Sequence, residues 1–187
     1  MEKETPMQRQ YREFRDKLAE GTILLFRLGD FYEVFGHDAE VAAKVLGLTL
    51  TKRHATPMAG LPHHAAPAYV NRLLAAGWKV AICDQLEAPV AGKLVRRGLT
   101  RILTPGTALE DSQLDSRRGN YLAALCWDKQ GWHAAWLDVS TADFRLASDS
   151  SPSRLLPLLH SVSPREIILP EGLEPSAADR ESLEVFL

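Results

Sequence analysis

Apolar residues in this chain recur with two periods, and the switches between them mark its elements. Residues 5–20 open on Thr5-Pro6, a capping residue with proline at the first helical position, and Gly21 closes the segment. That predicts a helix. The run Ile23-Leu24-Leu25-Phe26 predicts a buried strand over 22–27, followed by the edge segment Gly29-Asp30-Phe31-Tyr32-Glu33-Val34-Phe35. Residues 38–46 predict a second short helix, stopped by Gly47. Residues 48–51 alternate and favour a strand ending at Lys52-Arg53, with His54-Ala55-Thr56-Pro57 as a tight loop. A short apolar segment at 58–62 precedes a helix over 63–76, whose apolar positions include Ala66, Val70, Leu73 and Leu74. Strands follow at 78–83 and 99–103, separated by a loop at 88–92. Strands alternating with helices predict an α/β (α+β) layer, a mixed sheet covered by helices.

Residues 111–120 are polar and turn-rich, which places a boundary near 116 and divides the chain into 1–115 and 116–187. Beyond it, strand-like runs at 121–127, 132–139 and 143–147 have short turn-like connections and predict a three-stranded antiparallel meander. A helix over 153–161, despite Pro157, and a strand at Glu166-Ile167-Ile168-Leu169 complete the pattern. This second part has about half the length of a typical domain, so the sequence reads as truncated.

Composition narrows the class. The 187 residues are 45% hydrophobic and 25% charged, as in soluble globular proteins. No apolar stretch has the length to cross a bilayer, and Met1-Glu2-Lys3-Glu4 leads into no apolar region, so a cytoplasmic protein without membrane contact is expected. Cys83 and Cys126 sit in apolar runs without CxxC spacing and read as reduced thiols. His63-His64 lacks further ligands at metal spacing, so no metal site is expected.

The net charge of −2 conceals an asymmetry. Residues 52–101 carry eight cations against two anions, a net of +6, whereas residues 116–187 carry seven against ten, a net of −3. The first part is therefore suited to face a polyanion.

The candidate chemistry lies at Phe31 and Glu33. Residues i and i+2 of an extended segment project to one side, so a ring and a carboxylate would leave one edge together. A ring can wedge into a base stack and a carboxylate can read a base edge. The residues alone leave another reading open, with Phe31 and Phe35 in the core and Glu33 on the surface. Tyr32 points to the opposite side and is expected to pack inward.

The sequence resembles a known family at many ordered points. Thr5-Pro6-Met7, Gln10-Tyr11 and Gly29-Asp30-Phe31-Tyr32-Glu33 with Phe35 are followed by Leu50-Thr51-Lys52-Arg53. Pro57-Met58-Ala59-Gly60 with Pro62 and His64, Ala81-Ile82-Cys83-Asp84-Gln85 and Val95-Arg96-Arg97 come next. Arg101-Ile102-Leu103-Thr104-Pro105-Gly106-Thr107, Asn120-Tyr121-Leu122-Ala123-Ala124 and Leu137-Asp138-Val139-Ser140-Thr141 continue the series. Over residues 5–147 the chain resembles the N-terminus of the MutS family of DNA mismatch repair proteins.

That resemblance implies a mismatch-recognition domain and the first part of an RNase-H-like connector domain. It implies Phe31 as a wedge stacking on a mispaired or unpaired base from the minor groove, with Glu33 hydrogen-bonding that base. Lys52, Arg53, Met58 and Arg97 would approach the DNA backbone or minor groove. The implied partner is double-stranded DNA with mismatches or small insertion/deletion loops, in the bacterial cytosol. Full-length members work as homodimeric clamps with ATP and Mg, whereas this chain would carry no cofactor and no catalytic residue. Alone it is expected to be a monomer with weak or undetectable mismatch binding, because few backbone contacts would offset the unstacking cost.

Two departures stand out: the short loop between Arg53 and Pro57, and Asp84 where Glu is common before Gln85. Desolvation and phosphate charge together predict a raised pKa for Glu33 in the bound state. Two rivals remain. One is an RNase-H-like metal nuclease with Asp138, Asp143 or Glu166 as ligands. The other is an interaction module that no longer touches DNA.

Overall fold

The computed structural model describes residues 5–90, 92–107, 119–172, 176 and 183. The chain divides into two units, Met1–Thr104 and Pro105–Leu187. The boundary expected near residue 116 falls within 108–118, outside the described residues.

The first unit is built on a six-stranded mixed sheet. Its elements run α1 (Pro6–Arg15), β1 (Thr22–Leu28), β2 (Phe31–Phe35), α2 (Gly36–Leu46), β3 (Thr51–Arg53), β4 (Thr56–Pro62), α3 (Ala66–Ala75), β5 (Lys79–Gln85) and β6 (Arg97–Leu103). The strand order is β3-β4-β2-β1-β5-β6. β1 and β5 are parallel and the other pairs antiparallel. α1 and the turn after it cover one face, where Met7, Tyr11, Phe14 and Leu18 pack on Leu24, Phe26, Ala81 and Cys83. α2 and α3 bury Ala39, Ala42, Leu46, Val70, Leu73 and Leu74 and lie against β4 and β5. This is the expected mixed sheet covered by helices.

Local chemistry accounts for the element ends. The Thr5 hydroxyl accepts from the Gln8 amide and the Gln8 side chain accepts from the Thr5 amide, a reciprocal cap. α1 ends at Arg15, earlier than the residue 20 expected from Gly21. β1 and β2 are joined by Gly29-Asp30 alone, since Leu28 pairs with Phe31. Gly29 holds φ +60°, which a side chain would resist.

Two expectations changed. Leu48-Thr49-Leu50 forms no strand, and β3 is only Thr51–Arg53. The apolar segment at 58–62 belongs to the full strand β4, which pairs with β3 on one side and β2 on the other. The loop after Arg53 thereby shrinks to His54-Ala55. Pro57, Gly60 and Pro62 weaken the strand signal of the seven-residue β4, and its partners decide the outcome.

The second unit has a four-stranded sheet in the order β10-β7-β8-β9. β7 (Tyr121–Asp128), β8 (Gly131–Asp138) and β9 (Asp143–Asp149) form the expected meander. β10 (Glu166–Ile168) lies parallel to β7. α4 (Pro152–Val162) covers one face, packing Leu155, Leu156 and Leu159 with Ala123, Leu125, Trp132, Ala134 and Trp136. Among the described residues no helix is long and apolar enough to cross a membrane.

Candidate nucleic-acid interface

Phe31 stands at the tip of the β1–β2 hairpin and is 48% exposed, unusual for so large an apolar ring. Its neighbours across the sheet are Leu28 and Pro62, which support its base without covering the ring. The Asp30 carbonyl accepts from the His63 amide at 2.9 Å and ties the tip to the next element. The core reading of Phe31 is therefore excluded.

The other side of β2 is anchored. Tyr32 and Val34 are buried. The Tyr32 hydroxyl donates to Asp84 Oδ1 at 2.6 Å, and the Thr100 hydroxyl donates to Asp84 Oδ2 at 2.7 Å. Burial, with the Asp84 carboxylate beside it, pushes the Tyr32 phenol up to about 12. The Arg27 guanidinium sits 5.5 Å from the Tyr32 ring centre. This arrangement holds the strand so that Phe31 and Glu33 face the same way. Phe35, also on that side, is buried against Tyr11 at 4.9 Å between ring centres.

Glu33 is less exposed than an ordinary surface acid, its side chain retaining 14% accessibility. Arg53 Nη1 donates to Glu33 Oε2 at 2.6 Å. Burial raises the Glu33 pKa and the Arg53 charge opposes that rise. The pair spans β4, which lies between β3 and β2. Directly across from Glu33 on β4 is Gly60. It sets no side chain against Glu33; an added Cβ would lie in ordinary contact, 3.8 Å from the Tyr32 carbonyl oxygen and 4.0 Å from Glu33 Cγ.

The remaining candidates separate. Arg53 closes the two-residue His54-Ala55 turn, where His54 adopts φ +55°. Met58 pairs with Phe35 and is half-buried on the Glu33 side. Lys52, adjacent to Arg53, points to the opposite side of β3 and is exposed. Arg97 comes from β6, at the opposite edge of the sheet from β3. It is 7% exposed and donates to the Arg27 carbonyl at 2.7 Å, to Gln10 Oε1 at 2.7 Å and to the Val95 carbonyl at 3.1 Å. Its guanidinium lies 4.8 Å from the Phe26 ring centre, and burial works against its charge. In this structure it ties α1 to the sheet.

Beside Arg53 lies a cavity of about 590 Å³, lined among others by Tyr11, Arg12, Arg15, Phe35 and Asp38. Asp38 is buried and accepts from Arg15 Nε at 3.1 Å and from the Leu24 amide at 3.2 Å. Burial raises its pKa, opposed by those two donors. It completes the β1 hydrogen bonding where β2 has turned into α2.

Sequence reasoning missed three features here: the Arg53–Glu33 pair, Gly60 across from Glu33 and the role of Asp38. Alternation along 51–53 and 56–62 carried a partial signal for the first, because it aligns Arg53, Met58 and Gly60 on one side.

The carboxylates of the nuclease rival do not converge on a common point. Asp138 and Asp143 are cross-strand partners. Asp138 accepts from the Asn120 and Ser140 amides and the Ser140 hydroxyl. Asp143 accepts from Tyr121 and Arg145. Glu166 lies on the far strand β10 and accepts from the Gly106 amide. Among the described residues no group of three or more His, Cys, Asp or Glu side chains has metal-holding geometry.

The sequence profile described as MutS domain I matches residues 5–112, and that described as MutS domain II matches residues 120–186. Curated relatives named DNA mismatch repair protein MutS include one from Thermotoga neapolitana, 44% identical over 179 residues, covering 95% of this chain and 22% of the relative. Another, from Symbiobacterium thermophilum, is 46% identical over 186 residues, covering 93% and 21%. A third, from Flavobacterium johnsoniae, is 43% identical over 183 residues, covering 95% and 21%. The chain spans about a fifth of the length of the curated relatives it matches.

Proposed function

This chain belongs to the MutS family, and we propose that its first unit reads mispaired or unpaired bases in duplex DNA from the minor groove. The observation carrying this reading is the exposed Phe31 ring at a hairpin tip, with Glu33 on the same side of one rigid strand. Phe31 enters the stack beside a weakly held base. Opening a step costs a few kcal/mol, least where pairing is already faulty. Stacking on the ring returns about 1–3 kcal/mol for any base. Glu33 then accepts a hydrogen bond from the displaced base, or donates one when protonated. A step offering no partner leaves a half-buried acid unsatisfied and is disfavoured.

Lys52 and the basic surface of residues 52–101 supply the salt-sensitive attraction to phosphates. The same reading makes this chain a binding module. In a protein of the relatives' full length it would serve a homodimeric, ATP- and Mg-dependent clamp in the bacterial cytosol.

NMR titration of the chain with matched and mismatched duplexes tests the reading, because it resolves weak binding. The expected result is tighter binding of the mismatched duplex, with that preference lost in Phe31→Ala. Equal binding of both duplexes by the unaltered chain, or an unchanged preference in Phe31→Ala, rejects it.

A further inference from the structure

Arg53 is doing something other than waiting for a phosphate. Its guanidinium already occupies Glu33 Oε2 at 2.6 Å, one of the two oxygens through which that carboxylate would meet a base. The pair is one-sided in its surroundings: Glu33 is 14% exposed and Arg53 38%. Arg53 sits beside a two-residue turn at the sheet edge, and the 590 Å³ cavity borders it, so its side chain has room to leave. Glu33, on a central strand backed by the buried Tyr32, has no comparable freedom.

We propose that Arg53 is the positioning residue for Glu33. It holds the carboxylate in place while no DNA is bound, and it transfers to a DNA phosphate as a base N–H takes its place on Glu33. This rests on the base-reading function given above. It adds that phosphate contact and base contact are exchanged through one ion pair.

The physical basis is the cost of an unpaired, half-buried charge. When a phosphate draws Arg53 away, Glu33 loses its counter-charge. At a faulty step the displaced base offers a hydrogen bond and offsets that loss. At a sound step no partner arrives, and the exchange stays unfavourable. Arg53 therefore sharpens discrimination, whereas a plain phosphate contact would strengthen binding to every duplex alike.

The groups facing Glu33 support this assignment. From β3 comes Arg53, whose charge bears on the Glu33 carboxyl. β4 contributes Gly60, without a side chain, and β1 contributes Phe26 as the strand partner. Arg12 and Arg15 of α1 line the cavity beyond, where Arg15 is held by Asp38 of α2. Arg53 moving toward that cationic cavity is favoured only with an anion present, which is the condition the exchange requires.

Two measurements on this chain test the proposal. The first follows the Glu33 side-chain carboxyl by carbon NMR as pH changes. Arg53→Gln is expected to raise its midpoint by about one unit, the ordinary effect of losing an adjacent opposite charge, and Arg53→Lys to restore most of it. The second measures the ratio of mismatched to matched duplex binding in a double-mutant cycle. Arg53→Gln is expected to lower the ratio by about three- to tenfold, an ordinary coupling between contacting residues, and to lower it no further in a Glu33→Gln background.

An unmoved Glu33 midpoint overturns the proposal. So does equal weakening toward both duplexes with the ratio unchanged, which would make Arg53 a phosphate contact only. A ratio that falls equally in both Glu33 backgrounds overturns it as well. An unchanged ratio in Phe31→Ala instead rejects the base-reading function itself, so the two failures are distinguishable.

Discussion

Arg53 and Glu33 are bonded at 2.6 Å although a whole strand, β4, runs between the strands that carry them. Arg53 pairs with Thr56, whereas Glu33 pairs with Gly60 four residues further along β4, so the long guanidinium arm reaches diagonally across that strand. A half-buried acid is thereby held beside an exposed aromatic ring, and the consequences can be measured.

Glu33→Gln should stabilise the folded chain at neutral pH. Burial raises the Glu33 pKa above its unfolded value, so the folded state favours the neutral acid. That contribution is fully present below the unfolded value of about 4.3 and is lost as pH rises through the higher folded value. The amide variant should therefore be more stable than the unaltered chain at pH 7 and equal to it at pH 4. Urea denaturation at both pH values checks this, and equal stability at pH 7 counts against it.

Phe31→Ala should separate stability from function. The ring is about half exposed, so its loss should change unfolding free energy by about 1 kcal/mol or less. Binding to a mismatched duplex should weaken by about 1–3 kcal/mol, the stacking contribution of one aromatic ring. Thermal melting beside duplex titration measures both, and a large fall in melting temperature would place the ring in the core after all.

Arg97 and Lys52 should behave in opposite ways. Arg97→Lys keeps the charge but cannot reproduce the fork that reaches the Arg27 and Val95 carbonyls and Gln10. It should cost about 1–3 kcal/mol of stability. Lys52→Ala should leave stability unchanged and reduce the salt slope of duplex binding by about one. Denaturation curves and binding at several salt concentrations distinguish the pair; a stable Arg97→Lys chain with a reduced salt slope would make Arg97 a DNA contact.

Tyr32→Phe should cost about 0.5–1.5 kcal/mol by removing the hydrogen bond to Asp84. The phenol is pushed up to about 12 by burial. Its contribution is therefore complete below the ordinary tyrosine value of about 10 and lost as pH rises toward 12. Ultraviolet titration of tyrosinate should show late titration in the unaltered chain that is reduced by one phenol in Tyr32→Phe, with the buried Tyr11, also pushed up, still titrating late. A full titration complete by pH 11 would contradict the assignment.

Much of this was legible along the chain. Alternation placed Phe31 and Glu33 on one side of a strand and Tyr32 on the other, because adjacent residues of an extended backbone must point apart. The Thr5-Pro6 cap and the β7–β9 meander are equally local, each decided within a few residues. The end of α1 and the strand character of β4 were not, since a half-covered helix end and a short strand are settled by what packs beside them.

Backbone geometry between near neighbours fixes most of the elements and puts Phe31 and Glu33 on one side of a strand. It does not place that strand, which reads along the chain as an edge segment but lies inside the sheet between β4 and β1, nor does it say what each charge does. Arg53 and Arg97 read alike as basic residues beside strands, yet one reaches Glu33 across β4 and the other turns inward to hold α1 on the sheet. Strand order and register set those partners, and both depend on contacts between residues far apart in the chain.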